Sequence, residues 1–293
     1  MNEPDSYNVP GDAREAFERD GVVCLRGVID ERWLELTRAG IARNIANPGR
    51  FFRDQTPDGS PARYLFDYWN WPAVPEFREL VLEPGIAGIV AGVTGAPSLT
   101  LLMDNWFLRE AGATNGAPWH HDEPYFDFFG GRKTVLWYPL EAASRDEGLT
   151  FLAGSHRWGK VYMAQNFREH RAFEGDLEGY QEIEDFTAWR DSYLSWSLAP
   201  GDCLVFDFRT LHRATNGRDP LPRTIHRMSL RYGDGDVVFR PRGAWTVETS
   251  DHLRELGQRV DARLDCPLLP RVWPSGDAHR TAATGACGLS QDT

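Results

Sequence analysis

No apolar run in this sequence approaches the ~18 residues that a membrane-spanning helix needs. The first residues, MNEPDSYNVPGD, also lack the apolar stretch that marks a secretory signal. Cysteine is scarce. Cys24, Cys203, Cys266 and Cys287 keep no C-x-x-C spacing and build no dense framework, which excludes a disulfide scaffold and reads as free thiols in a reducing compartment. Positive charge is in deficit: the formal net charge is −11 and the pI is near 5.2. Neither nucleic acid nor an anionic membrane surface is therefore the expected partner. No segment repeats, and no linker divides the chain. What remains is a protein expected to be cytoplasmic, 293 residues long and 41% hydrophobic, long enough to bury a sizeable core.

The pattern along the chain changes near residue 96. Before it, helices dominate. Asp12 and Glu15 have the spacing of a capping box and open a short helix through Arg19. Val22–Leu25 reads as a strand, and a second helix runs from Asp30 to about Ala46 with Trp33, Leu36, Ile41 and Ile45 on its buried side. Residues 47–63, rich in Gly, Pro, Asp and Arg, read as a loop. Tyr64, Phe66, Tyr68, Trp69 and Trp71 then cluster, as a packed satellite of the core in preference to a substrate wall. Helical patterns cover 74–81 and 84–93.

From there to about 245, β-branched and aromatic runs recur between turn signals, at 98–109, 117–128, 133–140, 149–152, 194–198, 203–208 and 225–233. Several antiparallel strands of this kind make a sandwich or barrel. The 160–192 segment has no period and reads as a long insertion, either a lid or surface decoration. Residues 246–263 carry a charged helical pattern. The small, polar stretch 275–293 is expected to be disordered, leaving 1–274 as a single domain, mainly β with flanking helices.

Chemistry concentrates in Trp119-His120-His121-Asp122-Glu123-Pro124-Tyr125 and in the distant Thr210-Leu211-His212-Arg213. On a strand, i and i+2 share a face, so His120 and Asp122 converge while His121 turns away. His212, just after the strand at 203–208, is the natural third ligand. Two imidazoles and one carboxylate on one side of a metal leave the opposite positions open, as a non-haem Fe(II) oxygenase requires. His121 and Glu123 have the same spacing on the opposite face and are the rival pair, disfavoured because Pro124 puts Glu123 nearer the strand end. A keto acid in the open positions needs a cation for its far carboxylate, and arginine presents a matching fork. Arg223 and Arg227, which share a strand face after His212, are the candidates.

The Trp-His-x-Asp run at 119–122 resembles the phytanoyl-CoA dioxygenase family of Fe(II)/2-oxoglutarate-dependent oxygenases. Also similar are the run at 149–159 ending Gly154-Ser155-His156-Arg157-Trp158-Gly159, the Pro-Gly-Asp turn at 200–202, the strand bearing His212 and the Ser229-Leu230-Arg231-Tyr232 run. The similarity covers about 15–240, in order. It implies a double-stranded β-helix, the jelly-roll or cupin-like fold, with Fe(II) on His120, Asp122 and His212, and with 2-oxoglutarate and O2 as cosubstrates. His156 looks structural in that setting. The family's spacing from the distal histidine selects Arg223, whereas its spacing to the serine of the Ser-x-Arg-aromatic run lands on Ile225, so Arg223 and Arg227 both stand. The implied activity is oxidative decarboxylation of 2-oxoglutarate to succinate and CO2 with hydroxylation of a small organic molecule. Halogenation is disfavoured, because Asp122 fills the position a halide would need. Asn105, Tyr125, Phe126 and Trp137 are candidate substrate contacts. The alternatives are a cupin-like metalloenzyme without a keto acid, of isomerase type, and a non-catalytic jelly-roll binding protein.

Overall fold

The computed structural model of the chain describes residues 9–114, 116–167, 171–173, 178–214 and 220–274. The stretch expected to be disordered, 275–293, lies outside the described residues. Of the four sheets among the described residues, the eight-stranded one and one of two three-stranded ones enclose a cavity in a jelly-roll arrangement. The larger sheet has eight strands, ordered Val22–Leu25, Cys203–Asp207, Lys133–Pro139, Ile225–Gly233, Leu99–Arg109, Tyr64–Tyr68 and Arg53–Asp54, with Arg271–Trp273 added against Leu99–Arg109. The smaller sheet orders Tyr193–Leu194, Leu149–Leu152 and His212–Ala214.

The alternation of side chains along a strand explains how the large sheet serves two environments. In Ile225–Gly233, Met228, Leu230 and Tyr232 pack into the main core with Leu34, Ile41, Phe77 and Ile89 from the helices Glu31–Ala46, Pro75–Leu82 and Pro84–Thr94. Arg227, Ser229 and Arg231, the intervening residues, line the cavity on the other face. The helix layer is tight. A Cβ added at Gly40 would lie 2.4 Å from the Phe77 ring, so close approach outweighs the helix cost of glycine there.

The structure departs from the sequence reading at several elements. The first helix spans Ala13–Asp20, but the Asp12 side chain makes no cap bond. The buried side of Glu31–Ala46 includes Thr37 and Asn44, while Leu36 and Ile45 sit only partly buried at its edge. Polar residues take that face because they are satisfied there: Thr37 Oγ1 donates to Trp33 O and lies 2.6 Å from Tyr138 OH, and Asn44 Oδ1 accepts from the Trp106 indole. Within 47–63, Arg53–Asp54 forms an edge strand. The 246–263 helix stops at Glu255, after which Ala262–Arg263 forms a short strand. The aromatic cluster divides. Tyr64, Phe66 and Tyr68 alternate into the cavity, whereas Trp69 and Trp71 turn into the protein and donate their indole N–H groups to Leu102 O and Leu268 O. The described part of the insertion forms the hairpin of Gln165–Asn166 with Arg171–Ala172 and the 3-10 turn Thr187–Ser192.

Candidate active site

His120 and His212 are cross-strand neighbours. Each donates its backbone N–H to the other's carbonyl, at 2.9 and 2.8 Å, and directly opposed residues project to the same side. Their ring centroids are 4.2 Å apart. In both, Nδ1 donates to a backbone carbonyl two residues back, Pro118 O at 2.8 Å and Thr210 O at 2.9 Å. That fixes the tautomer and leaves Nε2 with a bare lone pair. Burial pushes both imidazoles toward the neutral form, His120 down to about 3.

Asp122 reaches the same point by a route that differs from the expected strand. After the bridge at His120 the backbone turns: Asp122 is helical, with φ −71° and ψ −24°, and a 3-10 turn, Glu123–Tyr125, follows. Pro124 supplies no N–H for a ladder. The Asp122 Oδ1 lies 3.9 Å from His120 Nε2 and 3.8 Å from His212 Nε2, and one ligand atom from each residue falls within 4.8 Å of the others. Two metal bonds of roughly 2.1 Å span about 3–4 Å between donor atoms, so the spacing admits an ion. The other carboxylate oxygen, Oδ2, accepts from Arg231 Nε at 2.8 Å. Burial pushes the Asp122 carboxyl up, but Arg231 and the two histidines outweigh it and hold the group below its ordinary range.

The rival pair points elsewhere. His121 Nε2 accepts from Tyr162 N at 2.9 Å. Glu123 forms buried ion pairs with Arg242 at 2.7 Å and Lys133 at 3.3 Å. His156 sits in the turn Ser155–Arg157 beside Gly21, where a Cβ on that glycine would meet its ring at 2.4 Å.

The triad opens into a cavity of about 340 Å³, within the range of small-molecule sites. Strand register sets out its floor in rows. Trp137, Ser229, Asn105 and Tyr68 are paired across four strands, and Arg227, Phe107 and Phe66 form the next row. All of them line the cavity, as do Tyr125, Phe126, Arg109 and Arg231. The four predicted substrate contacts, Asn105, Tyr125, Phe126 and Trp137, therefore share one chamber with the triad. Gln165, Asn166, Phe167 and Phe173 of the insertion close another side, with the Phe167 ring 4.6 Å from that of His120.

The two candidate arginines part company. Arg223 pairs with Glu147 at 2.6 Å, and its side chain is 49% exposed. Arg227 is buried in the cavity wall above Trp137, with Nη2 donating to Glu147 O. Its Nε and the Ser229 hydroxyl are buried with no hydrogen-bond partner among the described residues. Burial, and then repulsion from Arg109, holds the Arg227 guanidinium below its ordinary value, an environment that an incoming anion would relieve. In the sequence Ser229 and Arg231 stand out only as members of the family-like run at 229–232, and Arg109 only as the end of a strand, none with a role in the site. The usable signal was the two-residue period they keep with Asn105 and Arg227 on neighbouring strands.

Residues 17–225 match the family model for phytanoyl-CoA dioxygenase (PhyH). No curated protein matches the chain. Among solved structures, the non-haem α-ketoglutarate-dependent epimerase SnoN from nogalamycin biosynthesis aligns with a TM-score of 0.69 at 21% identity, covering 89% of this chain and 96% of that one. The carbocyclase SnoK from the same biosynthesis aligns at 0.68 and 21% identity, covering 91% and 98%. EvdO2 from Micromonospora carbonacea var. aurantiaca, complexed with 2-oxoglutarate, aligns at 0.55 and 22% identity, covering 78% and 92%. At these identities the likeness is one of fold.

Proposed function

The chain belongs to the phytanoyl-CoA dioxygenase family of non-haem iron and 2-oxoglutarate-dependent oxygenases, and from that premise we propose that it hydroxylates a small organic molecule. In this reading Fe(II) sits on His120, Asp122 and His212, and Arg227 with Ser229 holds the distal carboxylate of 2-oxoglutarate. The observation that carries it is the pairing of two features in one cavity: three converging donor atoms at one end, and a buried guanidinium and hydroxyl with unused hydrogen-bonding atoms along the same strand face.

The donor set suits Fe(II), since two neutral imidazoles and one carboxylate leave coordination positions open for a chelating keto acid and O2. Iron bound there supplies O2 activation coupled to the decarboxylation of 2-oxoglutarate to succinate and CO2, with oxidation of a substrate C–H bond. The chain's own part is positioning. The two Nδ1 hydrogen bonds orient the imidazoles. Arg227 is four residues from Arg231, or about 13 Å of strand, a span that a five-carbon diacid and an arginine side chain cover together. Trp137 supports the guanidinium, and Phe167 and Phe173 keep water from the chamber. Tyr64, Phe66, Tyr68 and Phe107 suit an apolar substrate body. Three described cysteines are free thiols and no described helix is long and apolar enough to cross a membrane, which supports the cytoplasmic reading.

A cupin-like enzyme without a keto acid, or a passive binding protein, gives no use to the buried Arg227 Nε. The deciding measurement is succinate released per O2 consumed by the Fe(II)-loaded protein with 2-oxoglutarate, alongside a product search for a 16-dalton gain on candidate substrates. Absence of 2-oxoglutarate turnover, coupled or uncoupled, would sink the proposal.

A further inference from the structure

The carboxylate of Asp122 has two oxygens, and they face different partners. Oδ1 points between the two imidazole Nε2 atoms, at 3.9 and 3.8 Å. Oδ2 accepts from Arg231 Nε at 2.8 Å. A free carboxylate beside a metal can bind through one oxygen or chelate through both, and chelation takes a second coordination position.

Arg231 is itself held in place. It lies in the central strand Ile225–Gly233, paired on both sides, opposite Met103 and Val135. Its guanidinium lies 4.9 Å from the Phe126 ring centroid, and Nη1 is 3.4 Å from Asn105 Oδ1. The side chain is 9% exposed, so the bond to Oδ2 forms away from bulk water, where a charge-assisted hydrogen bond is strong.

Resting on the reading of the site given above, we propose that Arg231 is a positioning residue that restricts Asp122 to one metal-binding oxygen and so keeps a coordination position free for the keto acid. The bond engages Oδ2, the oxygen that is not the one facing the two Nε2 atoms. It also fixes the carboxylate plane, so Oδ2 cannot rotate toward the metal without breaking a buried ion pair. An arginine serves here where a lysine serves less well, because its Nε hydrogen is directed in the guanidinium plane while the rest of the fork stays on Phe126 and Asn105.

The test uses Co(II) and anaerobic Fe(II) on the full-length protein, so that binding and coordination are read without turnover. In Arg231→Leu, Co(II) affinity without keto acid should stay within about threefold of wild type. The affinity of the metal-loaded protein for 2-oxoglutarate should fall about 10- to 100-fold, the usual size of an outer-sphere effect. The Fe(II)–2-oxoglutarate charge-transfer band should weaken, and the Co(II) visible spectrum without keto acid should show a changed coordination number. Arg231→Lys, which retains a donor and the charge, should recover part of the 2-oxoglutarate affinity and serves as the working variant if the leucine protein does not fold. Pyruvate, which lacks the distal carboxylate, should lose affinity in the same proportion.

An effect confined to 2-oxoglutarate, with pyruvate spared, would make Arg231 an anchor for the distal carboxylate and overturn the proposal. A parallel loss of Co(II) affinity and thermal stability would make it a structural support only, and unchanged keto-acid affinity would remove its role altogether. Failure of the wild-type protein to bind metal and 2-oxoglutarate together would instead refute the underlying reading of the site.

Discussion

Two histidine–carboxylate pairs interleave in four consecutive residues, and they sit in opposite surroundings. His120 and Asp122 turn their donor atoms to a cavity. His121 and Glu123 turn theirs to the protein, where Tyr162 N–H, Arg242 and Lys133 already occupy them. Residue type and burial do not distinguish the pairs, since all four are under a tenth exposed. The difference lies in what remains unused. Among the described residues Nε2 of His120 meets no hydrogen-bond donor and its Nδ1 is spent on a carbonyl, whereas His121 Nε2 is already engaged by a peptide N–H. On the proposed reading, the metal site is the pair whose donor atoms the fold orients toward the cavity without engaging them itself.

The sharpest way to break that contrast is to exchange which pair matters. Replacing His120, Asp122 or His212 with Ala should reduce Co(II) affinity by at least about 100-fold, measured by calorimetry, because each supplies one of three protein bonds. His121→Ala should leave metal affinity within a few-fold, and its effect should appear in the melting temperature. A metal-free His121→Ala protein would invert the assignment.

The second expectation separates the arginines. Arg227→Leu should raise the apparent 2-oxoglutarate constant by roughly 100-fold or more, since stranding a buried carboxylate without its partner costs about 3–5 kcal/mol. Arg223→Leu should change it less than threefold, because that side chain is half in solvent. Equal effects would show that the cavity wall does not select the anchor.

Glu123→Gln tests the inward pair. It leaves Arg242 and Lys133 buried without their counter-ion, so unfolding free energy should drop by about 3–5 kcal/mol while Co(II) affinity holds. Loss of metal binding at full stability would contradict the division of labour.

The last effect concerns pH. Buried carboxylates here split by partner. Burial pushes Glu123 up, but Lys133, Arg242 and Arg209 hold it below its ordinary value. Asp104 accepts from backbone N–H groups, those of Asn70 and Trp71 among them, and burial pushes it up to about 8. For Asp104 the folded state favours the proton, so its contribution is full below the unfolded pKa near 4 and is lost as pH rises toward 8. Glu123 has the opposite sign, contributing above its unfolded pKa and losing that contribution as pH falls. Asp104→Asn should flatten the decline in melting temperature between pH 4 and 8 without touching the acid limb. An unchanged slope would show that Asp104 is not its source.

How much of this was legible in the sequence depends on which interaction decides each feature. Ile225–Gly233 was read to the residue, because a central strand buried on both faces is apolar on one and regular in period on both. His120, Asp122 and His212 are legible by type and spacing, yet in place of the expected strand at 117–128 the chain forms a bridge at His120 and a 3-10 turn at Glu123–Tyr125. The convergence comes from a cross-strand bridge followed by a helical turn, and both depend on a partner about 90 residues away. The choice between Arg223 and Arg227 hinges on where the strand begins after His212, which is set by pairing with Leu99–Arg109 and not by local composition. Arg231 was read only as part of a family run. Nothing local marks it as bonded to Asp122, because that contact joins residues 109 apart in sequence. The aromatic residues 64–71 were misjudged in part, since hydrophobicity alone does not say which face of an edge hairpin is covered.

Besides the Tyr162 N–H on His121 and the Phe167 ring beside His120, the insertion is tied to the Glu123–Tyr125 turn by a phenol: Tyr125 OH accepts from Gln165 N at 2.8 Å and donates to Gln165 O at 3.1 Å. Both bonds go to main chain, so they are indifferent to the side chains the hairpin carries. The cavity wall beside the three converging side chains is therefore an exchangeable part on the proposed reading. Residues 167 and 173 can be redrawn to admit other molecules while the docking point and the three converging side chains stay as they are, which makes this segment the natural place to diversify a library and Tyr125, which docks it, the residue to leave fixed.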